Sequence, residues 1–326
     1  MLKKFNFRFT FDRNYVFDRK RAFEKLFKNI EMRMKPAEWV GFPLLLLVLV
    51  PLGFAFAKDD GDWAKWAVVP FILMAIIFVM SPQINWWWYR KNPPEPTTGE
   101  LNIVKKMPFY IALSSENKAI FRKRLALFCI GNDFMRPAPP NEDNRVRRDV
   151  PPDLKGIIAA SAVQLTFGFE PQDSAMLGKF ENFIVYPHPF ISPQIQNVYH
   201  TSELFEPDGV LIFAADELTQ GATQPQHFFN LGLYEIARAF QLERKNLVFP
   251  QLKLPETYTE LANVGWGGFE AAASLNHLQP DAFGIAVVNF FAFPEKMKQQ
   301  MPDLFQLLQN LLHQNPVNAQ QPRIQS

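Results

Sequence analysis

Two long stretches without a charged side chain constrain this chain more than anything else in it. Trp39 to Ala57 runs for 19 residues and Trp66 to Tyr89 for 24, both mostly apolar. About 20 such residues in a helix cross the hydrocarbon of a bilayer, so both stretches predict transmembrane helices. Pro43, Pro51, Pro70 and Pro82 would be awkward in soluble core helices but are tolerated in spans. Trp39, Trp63, Trp66 and the run Trp86, Trp87, Trp88, Tyr89 fall at the ends, where amphipathic rings prefer the headgroup level. A buried helical hairpin in a soluble protein is the competing reading, and the prolines and terminal aromatics speak against it.

Charge is placed asymmetrically about these stretches. The net formal charge is +2, yet residues 1–35 carry 11 Lys/Arg against 4 Asp/Glu, a net of +7, which leaves −5 for the remainder. The basic excess therefore lies outside the main domain, so a nucleic-acid partner is not expected. Basic residues recur after the second stretch at Arg90, Lys91, Lys105 and Lys106, while the connecting KDDGDWAK holds three Asp and two Lys. By the positive-inside rule both ends face the cytoplasm. The expected location is the bacterial inner (cytoplasmic) membrane, multi-pass, with a soluble domain facing the cytoplasm. In residues 1–35, Val16, Phe23, Phe27, Ile30 and Met34 form the stripe of a basic amphipathic helix. Such a helix lies on an anionic bilayer surface or packs its stripe on its own protein; the span that follows favours the lipid bilayer as partner. The single Cys129 makes no internal disulfide, and the five histidines show no metal-ligand spacing.

The expected organisation is a basic N-terminal segment (1–35), two transmembrane helices (36–90), a Pro-rich linker (91–108), a main domain (109–314) and a disordered tail (315–326). In the main domain, Ser114 and Ser115 offer an N-cap for a helix from Glu116 to Ile130, closed by Gly131. A loop with a cluster of prolines and charges spans 137–152, and a helix runs from about Asp153 to Phe167. FIVYP and VLIFA read as strands. A helix is expected from about Pro225 to 243, then a long loop with Pro250, Pro255 and GWGG. Further helices are expected at 268–276 and 281–312, the last divided at Pro302.

The helix around Asn230 to Gln241, NLGLYEIARAFQ, carries the most specific signal. Leu231, Leu233, Ile236, Ala237 and Phe240 recur at helical spacing and predict burial. Tyr234 and Arg238 are four apart and project the same way, with Glu235 beside them. H-E-x-x-H zinc peptidases use this spacing: two imidazoles one turn apart hold the metal, and the adjacent glutamate is the general base. Here the pattern is Y-E-x-x-R. An ordinary intrahelical ion pair between Glu235 and Arg238 satisfies the same spacing, so these residues alone leave both readings open.

The flanks extend the likeness. The chain resembles the Mlc titration factor A family of zinc peptidases, whose corresponding helix reads roughly N-x-x-x-H-E-F-A-H-A-L-D. The resemblance continues at IIAASAVQLTFGF (Ile157 to Phe169), FENFIVYPHPF (Phe180 to Phe190), VLIFAADELTQG (Val210 to Gly221) and DAFGIAVVNFFAFPEKM (Asp281 to Met297). It implies an α+β, zincin-like metallopeptidase domain, mainly helical with a small sheet, behind a two-helix transmembrane hairpin. In that alignment Tyr234 and Arg238 stand for the two His ligands, Glu235 for the general base and Asp281 for the third ligand. A later family Glu falls at Val288, a Tyr at Asn289, and another Tyr at Ser274.

The resemblance thus implies zinc, and the residues present argue against it. A phenol with pKa about 10 is a poor substitute for imidazole, and a guanidinium has no lone pair to offer and repels a dication. The expectation is a pseudopeptidase with no cofactor, Glu235 as a vestigial base, acting by binding a protein or peptide partner. An active membrane-bound peptidase with atypical ligands is the alternative. A further expectation concerns the vacated charge: Arg238 pairs with Asp281, Tyr234 donates its hydroxyl to the same carboxylate, and Glu235 shares the guanidinium.

Overall fold

The computed structural model describes residues 36–137, 148–170, 177–192, 198–276 and 279–318. The expected basic N-terminal helix lies outside these residues, as do most of the 137–152 loop and the last eight positions of the tail. The chain divides into two units after Asn92.

The first unit is a helical hairpin. Helices α1 (Pro36–Lys58) and α2 (Lys65–Lys91) match the two uncharged stretches with a few residues added at each end, and both are long and apolar enough to cross a membrane. Their large apolar side chains, among them Leu46, Leu49, Phe54, Ile72 and Val79, stand exposed around the helices instead of facing a protein core. Water would penalise that surface heavily; hydrocarbon would not. The turn is tight: Asp59 takes a positive φ of 52°, and the Asp60 carboxylate accepts from Asp62 N–H at 3.0 Å to cap a short 3-10 turn. At the open end the buried Asn85 Oδ1 accepts from Ala37 N–H at 3.1 Å, satisfying a free donor at the start of α1 and setting the register of the pair. Lys91 lies 4.0 Å from the Trp87 ring and Lys58 5.0 Å from Trp63, so each end carries a cation over an aromatic face.

The second unit is mostly helical around a small mixed sheet. In chain order it contains α3 (Thr98–Val104), α4 (Pro108–Ala112), α5 (Ser115–Gly131), β1 (Asp133–Met135), α6 (Pro152–Thr166), β2 (Asn182–Tyr186), β3 (Phe190–Ile191), β4 (Tyr199–His200), β5 (Ser202–Phe205), β6 (Val210–Ala214), α7 (Ala215–Thr223), α8 (Leu231–Glu243), α9 (Glu256–Val264), α10 (Gly268–Leu275), α11 (Ala282–Ala292), α12 (Pro294–Gln300) and α13 (Pro302–Leu312). The sheet order is β1-β2-β6-β5, parallel except for β5, which runs antiparallel at one edge; β3 and β4 form a separate hairpin. Phe183, Val185, Leu211 and Phe213 point into the main core. Ile184, Tyr186, Val210 and Ile212 alternate with them and form a second cluster with Phe190 on the other face.

Helix α6 is buried at every position from Gly156 to Thr166, as expected of a helix apolar all round. Burial leaves its last carbonyls without water, and two distant side chains serve them. Arg124 donates to Thr166 O and Phe167 O at 3.1 Å and to Phe169 O at 2.7 Å; Gln314 Nε2 donates to Gln164 O at 3.0 Å and Leu165 O at 2.7 Å. A cation at this end also complements the helix dipole.

Several boundaries depart from the sequence reading. The expected linker gives way to α3 at Thr98, because Thr97 and Glu100 form a reciprocal capping box and Leu101 and Val104 are buried. Glu95 also pairs with Arg122 at 3.3 Å, so this stretch belongs to the folded unit. Helix α8 begins at Leu231, not near Pro225, because Asn230 is its N-cap and accepts from Leu233 N–H at 3.1 Å. Helix α9 occupies part of the expected long loop, α7 follows β6 directly, and Pro294 adds a break before Pro302. Strands β1, β3, β4 and β5, of two to four residues, are too short to show a period in sequence. The strands at FIVYP and VLIFA, and the helices α5 and α6, lie where the sequence places them.

Candidate functional site

The site is built where α8 passes between the edge strand and α11. Gly284 permits the second approach: a Cβ there would fall 2.6 Å from the Tyr234 ring. Tyr234 is itself buried at the crossing, and its hydroxyl accepts from Asp281 N–H at 2.8 Å. The Asp281 carboxylate is the N-cap of α11, its Oδ1 accepting from Gly284 N–H at 2.7 Å. Burial, with the Glu235 charge adding to it, holds the Tyr234 phenol well above its usual pKa.

Glu235 has no exposed side-chain surface. Its two oxygens are both engaged: Oε1 accepts from Ser202 Oγ at 2.7 Å, and Oε2 accepts from Arg238 Nη1 at 2.7 Å. Ser202 reaches it because β5 places this residue opposite Phe213, on the face of the sheet that looks toward α8. Arg238 retains 26% of its side-chain surface, and its guanidinium also lies 5.5 Å from the Tyr234 ring. Burial works against the Arg238 charge, but Glu235, with Tyr234 and Asp281 adding, more than offsets this and raises its pKa.

Tyr234, Glu235, Arg238 and Asp281 are thus brought together, with two corrections to the expected pairing. Arg238 forms its ion pair with Glu235, and no ion pair joins it to Asp281 among the described residues. Tyr234 accepts a hydrogen bond from the Asp281 backbone instead of donating one to the carboxylate. The cause is local: Asp281 is already held as a helix cap, whereas Glu235, fully buried on the same helix as Arg238, is the carboxylate that most needs a counter-charge. Ser274, Val288 and Asn289 have other uses. Ser274 Oγ donates to Glu270 O in its own helix. Asn289 clamps Trp266, accepting from its N–H at 2.9 Å and donating to its carbonyl at 2.7 Å. Val288 lines a separate pocket.

These donors do not suit zinc. The guanidinium has no lone pair, the phenol oxygen already accepts a hydrogen bond, and the would-be base is neutralised by Arg238. Among the described residues no His, Cys, Asp and Glu group of three or more could hold a metal ion. Ser202 is the one member of the site absent from the sequence reading, and a serine in a four-residue strand carries no periodic signal. No protein-family model matches the chain, and no curated protein matches it either.

Proposed function

We propose that the chain is a membrane-anchored, zincin-like protein of the Mlc titration factor A type in which a guanidinium–carboxylate pair replaces the zinc centre. It is a pseudopeptidase that acts by binding a protein or peptide partner. The observation that carries this reading is the double engagement of the fully buried Glu235 by Arg238 and Ser202, which leaves the carboxylate no role as a base. Support for the peptidase ancestry comes from position: the resemblance ties Asp281 to the helix bearing Tyr234, and the two residues are hydrogen-bonded across 47 positions of sequence. A helical unit around a small mixed sheet agrees with that architecture, and the apolar hairpin supplies the anchor. Partner binding rests on analogy, since the resemblance is to a family whose namesake binds a transcriptional repressor.

Metal analysis and peptide-cleavage assays on the full-length protein in detergent test the reading. Wild type is expected to hold far less than one equivalent of zinc and to cleave nothing. The variant Tyr234→His/Arg238→His, with Asp281 as third ligand, is expected to acquire zinc. A folded double variant that binds none would refute the proposed ligand geometry. One tightly held equivalent in wild type, with cleavage lost in Glu235→Gln, would establish the active-peptidase alternative.

A further inference from the structure

The second unit holds a pocket of about 510 Å³ that shares no lining residue with the Glu235 site. Helix α8 contributes to both from different faces. Asn230 and Leu233 line the pocket, while Glu235, about 200° around the helix from Leu233, turns toward β5. The pocket's surface is chiefly apolar, with Phe109, Phe291 and Val288 among its walls. Pro108, Pro225, Pro294 and Pro316 also line it, and prolines hold their backbone rigidly, so the opening is preformed.

Its polar side chains are four amides, the Thr223 hydroxyl and the His227 imidazole. None of the described lining residues is Asp, Glu, Lys or Arg, and the one histidine, His227, is solvent-exposed. Gln164 lines the pocket with only 5% of its surface exposed, and its side-chain amide makes no hydrogen bond among the described residues; the bond from Gln314 goes to its backbone carbonyl. Asn230, 3% exposed, uses Oδ1 to cap α8 and has no described acceptor for its Nδ2. Both side chains line the pocket, and a ligand carrying matching donors and acceptors would complete hydrogen bonds that no described residue makes with these amides. An ionised ligand would lose its hydration and meet no counter-charge here.

We infer that this pocket is a binding site for a neutral, mainly apolar small molecule bearing one carboxamide group, which pairs with Gln164 and Asn230. The carboxamide matches because it offers an acceptor and donors in one plane, complementary to a glutamine amide. This inference stands apart from the proposed function, since none of its residues belongs to the Tyr234–Asp281 site.

Saturation-transfer NMR on the full-length protein in nanodiscs tests it, with 3-phenylpropanamide and 3-phenylpropanoate as probes and empty nanodiscs as background. The amide is expected to bind about tenfold tighter than the carboxylate, the ratio that about 1.4 kcal/mol of uncompensated desolvation produces. Gln164→Leu is expected to weaken the amide about tenfold. Ala112→Phe, a substitution at a half-buried lining position of α4, fills the pocket and is expected to abolish binding without relying on a core change. No binding of the amide at millimolar concentration overturns the inference. So does equal binding of the carboxylate, or binding that survives Ala112→Phe. An amide affinity unchanged by Gln164→Leu in a folded variant removes the proposed recognition.

Discussion

The partner Arg238 has chosen governs what each residue of the site does. Arg238→Met strands a carboxylate with no exposed surface, and removing one member of such a pair costs about 3–5 kcal/mol. The loss is expected at the low end, because Arg238 is itself partly open to solvent. Chemical unfolding of the protein in mild detergent measures it. Glu235→Gln in the same background should recover part of the loss, whereas Asp281→Asn should add to it nearly independently; a larger coupling to Asp281 than to Glu235 would reverse the assignment. Tyr234 makes a separate prediction. Burial raises its folded pKa above the ordinary phenol value of about 10, so the folded state keeps a proton that the unfolded chain releases. The resulting stability is fully present below about pH 10 and is lost as the pH rises beyond it. Compared with Tyr234→Phe, wild type should lose stability more steeply above that point, while at neutral pH the variant is weaker by about 1 kcal/mol for the lost acceptor.

At the scale of elements, α6 is the piece on which the second unit is assembled. Its close contact with α3 depends on Gly156, where a Cβ would collide with the Glu100 carbonyl oxygen. Gly156→Ala is therefore expected to destabilise the unit despite alanine's higher helix propensity, since backbone must move to relieve the clash. The other end of α6 depends on donors supplied from far along the chain. Gln314→Ala leaves the carbonyls of Gln164 and Leu165 buried without this donor and is expected to cost about 1–3 kcal/mol, where an ordinary surface Gln→Ala costs almost nothing. Thermal unfolding of both variants checks these expectations.

At the scale of the whole molecule, the hairpin decides where the chain resides. Trp66 and Trp87 are 21 positions apart on α2, about 32 Å along a helix, close to the thickness of a bilayer's hydrocarbon. Carbonate treatment of membranes is expected to leave the protein in the pellet. The excess of basic residues flanking the hairpin predicts both of its ends on the cytoplasmic side, in which case an impermeant thiol reagent applied to spheroplasts should label Asp62→Cys in the turn and spare Arg90→Cys. The native Cys129 is buried and should not interfere. Labelling of Arg90→Cys from outside would invert the topology.

What the sequence determined alone is what contiguous residues encode. The two long apolar helices follow from runs of uncharged side chains, α5 from Ser114 and its cap, α6 from a mostly apolar stretch, and β2 and β6 from β-branched and aromatic clusters. The nearness of Tyr234, Glu235 and Arg238 was legible for the same reason, since helical spacing is local. Tertiary structure decided the rest. Glu235 meets Ser202 across 33 positions, through a strand too short to announce itself, and α6 is capped by Gln314 from 150 positions away. Which carboxylate Arg238 would neutralise could not be resolved by spacing, because Asp281 comes from a distant helix and its charge also acts on Arg238. The pairing went to Glu235 because that carboxylate is wholly cut off from water, while Asp281 is engaged as the N-cap of α11. Buried polar groups take the partners that folding brings to them, and those partners are set by packing, not by order along the chain.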